Sequence, residues 1–215
     1  MLVTSRSYAE YEAMFDLSEL PESVLDCCAG GSSFTAEATV RGVDAVAVDS
    51  AYELPAPELV DTVRRSLPVG SSIVDEHAGS FVWHWYGSPD RRDEMRIEAA
   101  DRFLQDISVA PERYVAGTLP ELPFADGRFE LVLCSHLLFT WADKYDRAWH
   151  AAALRELVRV SRSEVRIFPL VLQGAGEPVG FLPELLEELE GVTTEIRKVP
   201  YEFQVGADQM LVIQH

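Results

Sequence analysis

Ser-Val-Leu-Asp-Cys-Cys-Ala-Gly-Gly-Ser-Ser-Phe, residues 23–34, decides how the rest of this chain is read. Ser23-Val24-Leu25 is a short apolar run ending on Asp26, and a helical pattern then runs from Ser33 to Arg41 and stops at Gly42. That is a strand, a glycine turn and a helix. The turn itself admits four readings: a metal site, a redox pair, a phosphate cradle or a plain turn. Next along the chain, Asp44-Ala45-Val46-Ala47-Val48-Asp49 reads as a second buried strand that again ends on an acid. A glycine turn followed about 20 residues later by an acid is a dinucleotide or nucleoside signature. Small residues let the backbone approach a ligand, the helix start aims unpaired N–H groups at it, and the acid accepts from ribose hydroxyls.

Bulk properties narrow the function classes. A chain of 215 residues, 47% hydrophobic and 25% charged, can bury one substantial core, so a single domain over residues 1–215 is expected. No apolar run reaches the roughly 20 residues that cross a bilayer, and the charged start MLVTSRSYAEYEAMF is unlike a secretory signal. A cytoplasmic protein without membrane contact is expected. The formal charge of −18 disfavours nucleic acid as a partner, because repulsion acts over the whole surface. The acids between Pro183 and Glu190 alternate with leucines at helical spacing and read as a solvated helix face. Cys27, Cys28 and Cys134 give neither a disulfide framework nor a C-x-x-C repeat, so reduced thiols and no metal are expected.

The periodicity of the remainder supplies the architecture. Tyr8 to Leu17 reads as a helix within an N-terminal cap, residues 1–20. Tyr52 to Glu112 is too long for a simple crossover. It holds a helix from Pro55 to Leu67, the aromatic run Phe81-Val82-Trp83-His84-Trp85-Tyr86 and a helix from Asp90 to Ile107, which together read as a crossover helix plus an inserted cover at about 68–112. Strands follow at Tyr114–Ala116 and Phe129–Cys134, then a helix at Lys144–Ser161, a strand at Glu164–Val171 and a helix at Phe181–Glu190. Two last strands, Thr193–Phe203 and Gln209–Ile213, flank the turn Gly206-Ala207-Asp208. The fold class expected is α/β: a doubly wound, mostly parallel seven-stranded sheet with an antiparallel last strand and a helical insertion between strands 2 and 3.

Two cofactor classes suit such a turn. A nicotinamide enzyme wants G-x-G-x-x-G, whereas the stretch from Ala29 here ends on the bulky Phe34, and a closing hairpin does not belong to the simplest dinucleotide domain. Over nearly its whole length the chain instead resembles the class I S-adenosylmethionine-dependent methyltransferases. Asp26 stands for the acid of their first motif and Gly30 for its middle glycine, with Cys28 and Ser32 replacing the outer two. Val46-Ala47-Val48-Asp49 resembles their ribose-binding strand end, and Gly117-Thr118-Leu119-Pro120-Glu121-Leu122-Pro123-Phe124 their adenine-side loop. The run from Asp126 to His136 resembles the fourth-strand motif, with Glu130 where aspartate is usual.

The resemblance implies S-adenosylmethionine as cofactor. It places the backbone of Ala29, Gly30 and Gly31, with Cys28, at the methionine end and Asp26 near the ammonium. Asp49 and Ser50 fall at the ribose, Gly117, Thr118 and Leu119 at the adenine, and Ser135 at the end of the fourth strand. Because methyl transfer is an in-line displacement, alignment and exclusion of water supply most of the catalysis. His136 is the candidate base, with a backbone-bonded structural histidine as its other reading, and His84 is a second candidate. Trp83, Trp85 and Tyr86 either wall a substrate pocket or form the core of the insertion, and Tyr11 either closes the site or packs. Arg91, Arg92 and Arg96 either bind an acidic substrate or face solvent as ion-pair partners. Cys134-Ser135-His136 is rejected as a nucleophile set, since consecutive strand residues point to opposite faces. The function expected is methyl transfer to a small-molecule acceptor by a monomer or homodimer. Cofactor cleavage or cyclisation, and non-catalytic cofactor binding, are the alternatives.

Overall fold

β1 (Ser23–Cys27) is buried along its whole length and pairs in parallel with β2 (Asp44–Asp49) on one side and β4 (Phe129–Ser135) on the other. A strand covered on both faces has no need of polar alternation, which is why Ser23-Val24-Leu25 reads as a plain apolar run. The computed structural model describes residues 2–174 and 176–215, and its sheet has seven strands in the order β3-β2-β1-β4-β5-β7-β6. β3 (Tyr114–Ala116) and β5 (Ser161–Phe168) extend the parallel part. β7 (Gln209–Gln214) runs antiparallel to both β5 and β6 (Thr193–Lys198), giving the expected mostly parallel α/β sheet. Strand order reverses between β1 and β4, so the crevice for a ligand opens at the carboxyl ends of these two strands.

Alternation along the strands divides the core between two faces. Leu25, Cys27, Val132 and Cys134 pack with Leu154 and Leu157 of α5 (Arg147–Val160) and with Leu182 and Leu185 of α6 (Leu182–Glu187). Val24, Leu131 and Leu133 point the other way, against Tyr11 and Phe15 of α1 (Tyr8–Phe15) and Phe34 of α2 (Phe34–Val40). Asp26 belongs to that second face by the same parity and is buried there beneath α1. α1 begins in a capping box in which the Ser7 hydroxyl accepts the Glu10 N–H and the Glu10 carboxylate accepts the Ser7 N–H.

The crossover between β2 and β3 departs from expectation. α3 (Ala56–Glu76) continues through Pro68 instead of stopping at Leu67, so the expected start of the inserted cover falls inside a helix. Pro68 lies on an exposed face, where the carbonyl it releases can be hydrated. α4 (Pro89–Val109) starts from the Ser88 cap with proline in its first turn, and its Ala100 and Phe103 meet Leu59 and Val63 of α3 over β2 and β3. β6 ends at Lys198 rather than Phe203, because Tyr201 and Phe203 leave the sheet to pack on the aromatic run. Phe81 and Phe203 stack at 4.6 Å, and Phe81 forms an isolated bridge with Gln204. No helix among the described residues is long and apolar enough to cross a membrane.

Candidate functional site

The turn after β1 is tied down from three sides. Cys28 has φ +62°, the left-handed conformation that favours glycine, and both it and Ala29 donate their N–H groups to the Val48 carbonyl at 2.8 and 3.2 Å. Gly30 donates to Asp49 Oδ2 at 2.9 Å, the other oxygen of Asp49 accepts the Ala51 N–H at 2.8 Å, and the Tyr52 hydroxyl donates to the Gly30 carbonyl. Residues 2–6 lie across the turn, with the Gly31 N–H donating to Thr4 O and the Ser33 N–H to Arg6 O at 3.0 and 2.9 Å.

Two neighbouring cavities open beside this turn. The larger, about 450 Å³, is lined by Tyr11, Cys28, Ala29, Gly30, Asp49 and Ser50 on the β1–β2 side and by Ser135, His136, Leu137, Thr140, Trp141 and Gln173 on the β4–β5 side. The smaller, about 140 Å³, lies between the N-terminal segment, α3, α4 and the segment Tyr201–Phe203 beyond β6. Arg6, His136, Thr140 and Gln173 line both cavities and so mark where they adjoin.

Electrostatics single out two titratable groups. Burial pushes the Asp26 carboxyl up to about 8, although the Tyr11 hydroxyl donates to its Oδ1 at 2.8 Å; its Oδ2 is buried without a partner. His136 also occupies a left-handed backbone, φ +54°, and its N–H donates to the Phe168 carbonyl at 2.7 Å. Burial, reinforced by the Arg6 and Arg96 charges, holds its imidazole well below the usual histidine range and therefore neutral. Its Nδ1 lies 2.9 Å from Ser135 Oγ. The left-handed residue breaks strand alternation, so Ser135 and His136 do converge, contrary to the expectation from strand parity. Among the described residues no carboxylate bonds to the ring, so the pair lacks the orienting acid of a hydrolytic triad.

Residues 88–168 match the family model described as a methyltransferase domain. Over 96% of this chain and 86% of that one, the fold is similar to a TehB-like S-adenosylmethionine-dependent methyltransferase from Corynebacterium glutamicum, with a TM-score of 0.52 and 17% identity. The chain has the fold of the class I S-adenosylmethionine-dependent methyltransferases. A magnesium protoporphyrin IX methyltransferase from Synechocystis, solved with bound S-adenosylmethionine, is similar over 96% of this chain and 76% of its own, with a TM-score of 0.50 and 11% identity. In sequence, 99% of the chain is 29% identical to 96% of an uncharacterized protein of Methanocaldococcus jannaschii.

The residues of the larger cavity fit S-adenosylmethionine in size and in part of their chemistry. A volume of about 450 Å³ lies within the range of small-molecule sites, and a cationic ligand would meet Asp49 in the wall, whereas Asp26 lines neither cavity and is buried behind Tyr11 with its Oδ2 unpartnered among the described residues. The other expected residues are distributed unevenly. Gly31 bonds the N-terminal segment rather than lining the cavity. Thr118 is exposed, Leu119 is buried in the α5-side core and Gly117 packs against Val48 and Pro123, so none of the three lines the larger cavity. His84 is exposed and lines neither cavity, since the Trp83 and Trp85 rings on either side of it turn toward Phe203 and Tyr201. Tyr86 is buried beneath the site, where its hydroxyl donates to Glu10 and receives Arg96 at 3.0 Å.

Two groupings were not evident from spacing. The β1–β4 register sets Cys27 opposite Cys134, and with Cys28 the three sulfurs lie within 4.8 Å of one another, a thiol cluster that no C-x-x-C repeat announces. Hydrogen bonding to Cys134, reinforced by burial, raises the Cys27 and Cys28 thiols well above the usual range, so these two are protonated at neutral pH. Arg6, Thr140 and Gln173 come from segments without periodicity, and no sequence signal marks them.

Proposed function

We propose that the protein transfers a methyl group from S-adenosylmethionine to a small-molecule acceptor, with cofactor and acceptor in the larger and smaller cavities respectively. The observation that carries this reading is the adjacency of the two cavities at His136, Thr140 and Gln173. When bound, the cofactor supplies an electrophilic sulfonium methyl. The chain's residues bind, orient and take up a proton. Asp49 receives the ribose hydroxyls through lone pairs left free by Gly30 and Ala51, and ionised Asp26 receives the ammonium. The Gly30 and Ala29 backbone lets the methionine part lie close to the turn.

His136 stands at the junction. With its proton on Nδ1 and donated to Ser135 Oγ, Nε2 keeps a lone pair that can take the proton of a hydroxyl or amine acceptor. Because the imidazole is held neutral, this base form persists well below pH 6.5. A pocket of about 140 Å³ and a net charge of −18 both favour a small acceptor over a polymer. Incubation with labelled S-adenosylmethionine and a pool of small acids, phenols and amines, followed by product analysis, tests the reading. S-adenosylhomocysteine with a labelled acceptor is expected; methylthioadenosine would assign cofactor cleavage instead, and binding without turnover a non-catalytic role.

A further inference from the structure

The smaller cavity collects most of the unsatisfied polarity in the molecule. Six buried side-chain polar atoms lack a hydrogen-bond partner among the described residues, and four of them, Ser5 Oγ, Arg92 Nε, Arg96 Nε and Thr140 Oγ1, belong to residues lining this one cavity. Each of these residues is at most 7% exposed. A buried polar group left without a partner is destabilising, so concentrating four around one small space calls for a ligand that satisfies them. The two guanidinium N–H groups are donors in any state and the two hydroxyls can donate, which suits an acceptor-rich, anionic group.

The charges agree. Arg6, Arg92 and Arg96 line the cavity and no carboxylate does, in a chain of net charge −18. Behind the wall, Glu10 pairs with Arg96 at 2.7 Å and with Arg6 at 3.5 Å, while Arg92 reaches only the partly exposed Asp93, through Nη1 at 2.6 Å. Three guanidiniums against these two carboxylates leave one positive charge without a counterpart. The remaining wall is aromatic and aliphatic, with Phe81, Phe168, Tyr201 and Phe203 prominent, and the Arg92 guanidinium lies 5.5 Å from the Phe203 ring centre.

We infer that the smaller cavity is a carboxylate-binding subsite, in which Arg92 with the Ser5 and Thr140 hydroxyls holds a small monocarboxylic acid of apolar body. The single unbalanced charge favours a monoanion over a phosphate dianion. That this acid is the methyl acceptor rests on the function proposed above; the subsite itself rests on the cavity alone.

Calorimetric or fluorimetric binding to the full chain, with and without S-adenosylhomocysteine, tests it with benzoate and 4-hydroxybenzoate, their neutral amides, and inorganic phosphate as probes. At least one carboxylate is expected to bind about tenfold or more tightly than its amide and than phosphate, the usual worth of a charged hydrogen-bonded contact. Arg92→Gln should remove the preference for carboxylate, and Thr140→Val, which keeps the side-chain shape, should weaken it severalfold. No carboxylate binding, equal binding of amide or phosphate, or a preference that survives both substitutions would overturn the inference. Carboxylate binding that depends on Arg92 in a protein that does not bind S-adenosylhomocysteine would uphold the subsite and remove the methyltransferase reading of it.

Discussion

If ionised Asp26 receives the cofactor's ammonium, binding must first remove a proton, because the apoprotein's carboxyl titrates near 8. The cause is burial beneath α1, and a neutral acid at pH 7 leaves Oδ2 without the charge a cation requires. Below the folded pKa each unit of pH then costs about tenfold in affinity, so from pH 6.0 to 7.5 the affinity for S-adenosylhomocysteine should rise roughly 25-fold. His136 is silent over this window because its pKa lies well below the usual value. Asp26→Asn keeps an oxygen for the Tyr11 hydroxyl and abolishes the titration, so its profile should be flat and its affinity lower at pH 7.5. Calorimetry at pH 6.5 in two buffers of different ionisation enthalpy should register release of about one proton in the wild type and none in the variant. The same shift has a stability sign: a carboxyl raised in the folded state favours folding fully at low pH, and that contribution is lost as pH rises through about 8. Asp26→Asn should therefore gain thermal stability relative to wild type as pH increases. A wild-type affinity independent of pH, or an equal slope in the variant, would refute the assignment of Asp26.

Glu10 is fully buried, and although burial opposes its ionisation, Arg96, Arg6 and the Tyr86 hydroxyl outweigh it and hold the carboxyl below the ordinary range. Glu10→Gln leaves Arg96 without its counter-charge and should destabilise the protein by about 3 kcal/mol or more, a fall in Tm of about 6–12 °C by calorimetry at neutral pH. The depressed pKa makes this contribution complete above the unfolded carboxyl value and lost as pH falls through the folded one, so the deficit should shrink in acid. Gly30→Ala places a Cβ 2.8 Å from the Thr4 carbonyl on a backbone at φ +59°. It should cost about 2 kcal/mol and weaken cofactor binding by dislodging residues 2–6, which thermal unfolding and titration of the same variant will register together.

Legibility in the sequence followed the range of the interactions involved. Parallel strands buried on both faces write themselves as apolar runs, so β1, β2, β4 and the closing β6–β7 pair were readable, and the Asp26 and Asp49 strand ends located the crevice. Cys28 looked like a misfit for a glycine position, yet it adopts the glycine-type backbone at φ +62°, supported by its N–H bond to Val48. What stayed hidden depends on contacts between distant segments. The bond between Ser135 and His136 needs a left-handed residue that no pattern announces. The helix expected to stop at Leu67 runs on through Pro68, which an exposed face accommodates. Arg92 and Arg96 stand on a charged helix, where the sequence leaves substrate binding and a solvated ion pair both open; only the packing of α4 against the N-terminal segment and Tyr201–Phe203 buries them. Arg91, beside them in sequence, does pair at the surface with Glu94.

In the proposed function the cavity between the β1 turn and His136 holds S-adenosylmethionine through Asp49. Titration of wild type and Asp49→Asn with S-adenosylmethionine and with NAD tests it most directly. One-to-one binding of S-adenosylmethionine, no binding of NAD, and an affinity at least about tenfold lower in the variant are expected. Binding of NAD alone, or an Asp49→Asn protein that binds S-adenosylmethionine as tightly as wild type, would contradict it.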